Sequence, residues 1–256
     1  MADSVEIPAD KKDRLDRLVV DMGLARTRSR AKALILAGRV KVDSRVVDKA
    51  GTLVKGGSKI EVAEQGRYVG RGGEKLEHAL KRFSLDPGGL IAADIGASTG
   101  GFTDCLLQHG ASKVYAIDVG YGQLAWSLRQ DSRVVTIERT NARELAPEMF
   151  DERPAFATVD VSFISLTLVL GPIADILADG GDIVALVKPQ FEAGRDHVGK
   201  GGVVRDPAVH TGVIQKVTDF ADGLGLVPRG SVEAPLLGPA GNKEFFVHFV
   251  KPQGGR

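Results

Sequence analysis

Six short apolar runs recur between residues 90 and 250, separated by stretches long enough for helices: LIAADIG, KVYAIDVG, VVTIER, FATVDVSF, DIVALVKP and EFFVHFV. Most carry apolar residues at odd and even positions alike, so both faces of each strand must be covered. Strands of that kind alternating with helices predict a doubly wound α/β fold, with a mostly parallel sheet between two helical layers.

The first sixty residues are built differently. RLDRLVVDM places Leu15, Leu18, Val19 and Met22 at helical spacing, and Gly23 supplies a stop. Thr27 is positioned to cap a second helix, RSRAKALILA, whose Ala31, Leu34 and Ile35 share one face while Arg28 and Lys32 share another. Gly38 ends that helix, after which RVKVDSRVV, turning at Asp43-Ser44, and SKIEV alternate as short strands. The expectation is a small α+β module. Gly66, Gly70, Gly72 and Gly73 then mark a flexible boundary, beyond which Leu76, Leu80 and Phe83 restart a helical stripe. The 256 residues therefore divide into a small domain at 1–62, a linker at 63–73 and a large domain at 74–256.

Charge follows the same division. Residues 11–60 hold 14 Lys and Arg against 5 Asp and Glu, a net of +9, whereas the remainder holds 20 basic and 28 acidic residues, a net of −8. Nine uncompensated charges in fifty residues repel one another unless a polyanion is present, so the small module is expected to meet phosphate. No aromatic residue occurs before Tyr68, which excludes base stacking as its means of binding.

Other classes are excluded more simply. The greasiest stretch, 161–177, is broken by Gly171, Pro172 and Asp175, so no membrane-spanning helix is expected. The N-terminal residues lack an apolar signal core, and the single cysteine, Cys105, can form neither an internal disulfide nor a cysteine zinc cluster. A reducing, cytoplasmic setting is expected. His78, His109 and His210 read as helix-surface residues, and no metal is expected.

The first strand of the large domain ends in Asp94-Ile-Gly96-Ala-Ser98-Thr99-Gly100-Gly101-Phe102. Open α/β sheets bind ligands at the carboxyl ends of their strands, where a glycine turn lets a ligand approach backbone N–H groups. This loop is one residue longer than G-x-G-x-x-G and is led by a carboxylate, a spacing that favours S-adenosylmethionine over a dinucleotide. Asp118, ending the next strand, is placed to accept ribose hydroxyls, and Asn141, ending the third, to meet adenine. Asp160 and Lys188 end two later strands, and a lysine closing a buried strand must be paired or used. Asp160 is its natural partner. The segment EAGRDHVGKGGVVRD, 192–206, is long enough to serve as a lid over substrate.

Two resemblances sharpen this reading. Residues 12–62 resemble the S4 RNA-binding domain, which implies that Arg26, Arg28, Arg30, Lys32, Arg39 and Lys41 face folded RNA. Lys75 in RGGEKL, Asp160 in VDVSFISL, Lys188 in VKPQFE and Glu244 in GNKEFF resemble the Lys-Asp-Lys-Glu tetrad of the FtsJ-type ribose 2′-O-methyltransferases. An S4 module followed by this tetrad is similar to the TlyA family of rRNA 2′-O-methyltransferases, some of whose members bear the name hemolysin. The resemblance implies a Rossmann-like methyltransferase domain and a cofactor site of Asp94, Gly96, Ser98, Thr99, Gly100, Gly101, Phe102, Asp118, Asn141 and Asp160. It also implies ribosomal RNA or ribosomal subunits as partner. Asn141 departs from it, since related methyltransferases often carry Asp there.

On this reading Lys188 is the base, or steers the hydroxyl's lone pair; Asp160 and Glu244 orient it, and Lys75 gives electrostatic support. Amine methyltransferases need an Asn/Asp-Pro-Pro-aromatic motif, where this chain has Asp160-Val-Ser-Phe163. The competing readings are a non-catalytic RNA-binding or ribosome-assembly protein, told apart by cofactor binding, and a pore-forming hemolysin, which lacks any spanning segment in the sequence.

Overall fold

The computed structural model describes residues 12–62 and 67–254. The N-terminal residues 1–11, and Gly66 of the glycine-rich boundary, lie outside the described residues. The chain forms two compact units, Met1–Arg71 and Gly72–Arg256.

The first unit runs β1 (Lys12–Arg14), α1 (Leu15–Asp21), α2 (Arg28–Leu36), β2 (Val40–Val42), β3 (Arg45–Val46), β4 (Leu53–Lys55) and β5 (Ile60–Val62). The Thr27 side chain accepts the N–H of Arg30 and caps α2. Asp43 and Ser44 both take positive φ, 47° and 65°, which gives the hairpin between β2 and β3 the twist of its strands. Leu15, Leu18, Val19, Ala31, Ile35 and Val40 pack into one core beneath the strands. The structure adds a pairing absent from the sequence reading: β1 runs antiparallel to β4, with Asp13 opposite Val54. Strands of three residues are too short for alternation to betray them.

The second unit runs α3 (Gly72–Phe83), β6 (Ile91–Ile95), α4 (Gly101–Gln108), β7 (Lys113–Ile117), α5 (Trp126–Arg129), β8 (Val134–Ile137), β9 (Phe156–Val159), α6 (Leu170–Ile176), β10 (Asp182–Val187), α7 (Pro189–Glu192), α8 (Pro207–Gly223), β11 (Val227–Glu233) and β12 (Phe245–Val250). Gly72 and Gly73, which the sequence alone assigns to the linker, form the first turn of α3. The seven strands lie in the order β11-β12-β10-β9-β6-β7-β8, with β12 alone antiparallel to its neighbours. Strand order reverses between β6 and β9, so a crevice opens outside their carboxyl ends. There the two backbones come so close that a Cβ on Gly96 would lie 2.5 Å from the Asp160 carbonyl oxygen.

Six of these strands are the apolar runs of the sequence; β11 is the seventh. It reads VPRGSVE, is largely exposed, and carries a bulge between Pro228 and Gly230. Proline and a bulge are tolerated on the edge strand that it proves to be. His210 is corrected in the other direction. It is buried on α8, donates from Nε2 to the Val204 carbonyl at 3.0 Å, and rests against Phe245.

Candidate active site

The loop after β6 reaches its conformation through left-handed residues at Gly96, Ser98 and Gly100, with φ of 88°, 49° and 94°. A Cβ on Gly100 would collide with Leu124 and Leu128, so glycine is required there by packing as well as by φ. Beneath the loop, Asp94 accepts the N–H and hydroxyl of Thr103 at 2.8 and 2.7 Å and the Thr158 hydroxyl at 3.2 Å. These bonds tie the start of α4 to the sheet. Burial pushes the Asp94 carboxyl up to about 7, against the pull of Thr103 and with the Asp160 charge adding to it.

A cavity of about 420 Å³ opens beside this loop, lined by Gly96, Ser98, Asp118, Asn141, Asp160 and Ser162 among others. Five of the ten residues expected at the cofactor are therefore on its wall. The other five are not. Asp94 is 0% exposed and spends its oxygens on the two threonines, a correction of its expected ligand role. Thr99 gives its carbonyl to Ala125, Gly100 faces Leu124 and Leu128, Gly101 abuts the backbone of Gly72 and Gly73, and the Phe102 ring lies against Phe246. They shape the turn from behind. Asp118 receives the backbone N–H of Ser98 at 2.7 Å and of Gly120 at 2.6 Å, which fixes its carboxylate at the cavity wall. Asn141 caps the short turn at Ala142–Glu144 by accepting the Arg143 N–H.

Adjacent strand ends carry three of the four expected catalytic residues, and α3 carries the fourth, Lys75. Asp160 follows β9 and Lys188 follows β10, its parallel neighbour, while the register of Val187 opposite Phe245 brings Glu244 to the same rim. The Lys188 ammonium lies 2.5 Å from Asp160 Oδ1 and donates to Ser162 Oγ at 2.9 Å. Lys75, in the first turn of α3, donates to Glu244 Oε2 at 2.5 Å, and both are buried. Glu244 is thus the partner of Lys75, which corrects its expected part in orienting Lys188. Its Oε1 faces Gly238, where a Cβ would overlap it.

One residue escaped the sequence reading. Glu192, buried at the end of α7, accepts the Ser165 hydroxyl and the Leu166 N–H, each at 2.6 Å, and pairs with Lys216 of α8. Phe163, with a φ of 65° and 80% exposed, stands against Phe191 with ring centroids 5.0 Å apart. The glycine-rich segment is pinned at one end: Asn242 accepts the Val204 N–H at 2.9 Å and donates to the Gly202 carbonyl at 2.8 Å.

In the first unit Arg26, Arg28, Arg30, Lys32 and Lys41 are exposed. Arg39 is not, a correction: it is buried and donates to the Tyr68 carbonyl at 2.7 Å. Arg28 donates to the buried carboxylate of Asp16 at 3.0 Å, and Arg14 binds the same carboxylate. Hydrogen bonding from Arg14, more than that from Arg28, lowers the Asp16 carboxyl to about 2 despite its burial. Among the described residues no group of His, Cys, Asp and Glu is arranged to hold a metal ion, and no helix is long and apolar enough to cross a membrane.

The comparisons agree with this geometry. Residues 68–251 match the FtsJ-like methyltransferase family and residues 13–60 match the S4 domain. The chain is 50% identical over 248 residues to YqxC of Bacillus subtilis (strain 168), covering 96% of this chain and 88% of that one. It is 46% identical over 239 residues to the 16S/23S rRNA (cytidine-2'-O)-methyltransferase TlyA of Mycobacterium tuberculosis (strain ATCC 25618 / H37Rv), covering 93% and 89%. Among solved structures, a Streptococcus thermophilus protein bearing the hemolysin name superposes with a TM-score of 0.74 at 47% identity, covering 94% of this chain and 90% of that one. The chain belongs to the FtsJ-like methyltransferase family, as an S4-bearing member of the kind to which the TlyA methyltransferases belong.

Proposed function

We propose that the protein methylates a ribose 2′-hydroxyl of ribosomal RNA with S-adenosylmethionine as donor, its S4 unit docking the folded RNA in the cytoplasm. The observation that carries this reading is the Lys188 amine, held 2.5 Å from Asp160 Oδ1 where Asp160 lines the cavity. The cavity suits the donor: its volume falls in the small-molecule range, and two backbone N–H groups already hold the Asp118 carboxylate, leaving its other lone pairs for ribose hydroxyls. Gly96, Ser98, Asp118 and Asn141 would hold it. When bound, it supplies a methyl group activated by a sulfonium.

A ribose hydroxyl is a weak nucleophile at neutral pH, so its proton must be taken and its oxygen aimed. Lys188, as the neutral amine, accepts that proton at Nζ. Asp160 holds the amine in place and favours the ammonium that forms. The Lys75–Glu244 pair fixes the first turn of α3 to the adjacent strand end. Phe163 offers an exposed aromatic face of the kind on which an unstacked base rests. The exposed basic side chains on and around α2 suit phosphates of folded RNA.

The test is Lys188→Ala. Methylation of ribosomal RNA should fall by about 10²-fold or more, the scale of lost general-base assistance, while calorimetry shows S-adenosylmethionine bound as before. A folded variant methylating at the unaltered rate would remove Lys188 from the mechanism.

A further inference from the structure

Ser162 has no part in the tetrad, yet its hydroxyl is the directional partner of the Lys188 amine. Asp160 Oδ1 lies at ion-pair distance from Nζ, 2.5 Å, but makes no hydrogen bond, whereas Ser162 Oγ accepts one at 2.9 Å. Charge attraction is insensitive to rotation about the last bond of the lysine; a hydrogen bond is not. Asp160 therefore decides where the amine sits and Ser162 decides how it is turned.

That distinction matters for a base. A neutral amine has two N–H groups and one lone pair in tetrahedral array, and only the lone pair can take a proton. With one N–H committed to Ser162 Oγ, the other N–H and the lone pair share the two remaining directions, and repulsion by the Asp160 charge turns the lone pair away from that carboxylate. We propose that Ser162 is a positioning residue for methyl transfer, holding the Lys188 lone pair toward the ribose hydroxyl. The inference rests on the methyl-transfer reading. In the step it serves, the hydroxyl O–H bond breaks and its proton joins the Lys188 lone pair, the oxygen forms the new bond to the methyl carbon, and the methyl–sulfur bond breaks with its electrons left on sulfur. The charged group in contact with the amine is Asp160 after β9; Glu244, before β12 on the other side of β10, is paired with Lys75 of α3.

The experiment compares Ser162→Ala and Ser162→Thr in the full chain, with ribosomal RNA from cells lacking the protein and labelled S-adenosylmethionine. Ser162 is exposed, so neither change disturbs a packed core. Ser162→Ala should lower kcat by about tenfold, the scale of one hydrogen bond, with calorimetric cofactor affinity unchanged. It should also move the acid limb of kcat against pH to lower pH, because an acceptor that favours the charged amine has gone. Ser162→Thr, which keeps the hydroxyl, should return both toward the unaltered values. An unchanged plateau and limb in Ser162→Ala, or a threonine variant as impaired as alanine, would overturn the assignment while leaving the methyl-transfer reading standing. Absence of methylation by the unaltered protein would overturn that reading and this inference with it.

Discussion

Glu192 accepts the backbone N–H of Leu166 at 2.6 Å, and through that bond the chain that follows Asp160 is fastened to the helix that follows Lys188. The two strand ends are thereby braced against each other, six residues beyond Asp160 and four beyond Lys188. Glu192→Ala strands a buried N–H, at a cost of about 1–3 kcal/mol, and frees the loop bearing Asp160 and Ser162. Its melting temperature should drop, and kcat should fall with little change in the KM for S-adenosylmethionine. Glu192→Gln keeps an acceptor for Leu166 and should recover most of kcat. Equal loss in both variants would show that the carboxylate's charge toward Lys216, not the brace, is what matters.

How much of this was legible beforehand depends on where each signal lives. The buried strands announce themselves because apolar residues on both faces have no other explanation, and Lys188 stands out because it closes such a strand. Lys75 and Glu244 carry no such mark; only the resemblance singled them out. Glu192 was invisible for a related reason. In VKPQFE a glutamate reads as a solvated helix end, since its partners, Ser165 and Leu166, stand 26 and more residues away. Arg39 and Asp94 depart from expectation because residue type does not fix placement. The S4 resemblance turns Arg39 toward RNA and the carboxylate-led glycine loop turns Asp94 toward the ligand, whereas hydrogen bonds to Tyr68 and Thr103 hold both inward.

The contrast between Arg39 and Lys32 can be measured. Each removes one positive charge when changed to alanine, but only Lys32 is exposed. Lys32→Ala should reduce the slope of log affinity for ribosomal RNA against log salt by about one unit, the release of one phosphate contact. Arg39→Ala should leave the slope unchanged and lower the melting temperature, since the Tyr68 carbonyl loses its donor. A slope that drops equally in both would return Arg39 to the RNA-facing surface.

Asp94 should make stability depend on pH in an unusual direction for a carboxylate. Its carboxyl is raised from 3.8 to about 7, so the folded protein keeps a proton that the unfolded chain has lost. The stabilisation is complete below pH 3.8 and is lost as pH rises through about 7. Asp94→Asn cannot ionise, and its amide can still meet both threonines. The melting temperature of the variant relative to the unaltered protein should therefore climb as pH rises across that window. A constant difference would mean that the Asp94 carboxyl titrates alike in both states.

Asp16 separates preorganisation from charge in RNA binding. It is an acidic residue in a basic module, 0% exposed, with Arg14 and Arg28 both on its carboxylate. Charge alone says that Asp16→Asn, by making the module one unit more positive, should tighten binding to a polyanion. The geometry says the opposite. Arg28 donates its Nε to Asp16 and is held by it with the rest of its guanidinium exposed, so losing the carboxylate returns two long side chains to rotamer freedom that RNA must then remove. Affinity measured by fluorescence anisotropy at one fixed salt concentration should weaken several-fold for a variant whose melting confirms that the first unit still folds. Tighter binding would show that Asp16 serves only to hold the fold, and that Arg28 needs no support to meet phosphate.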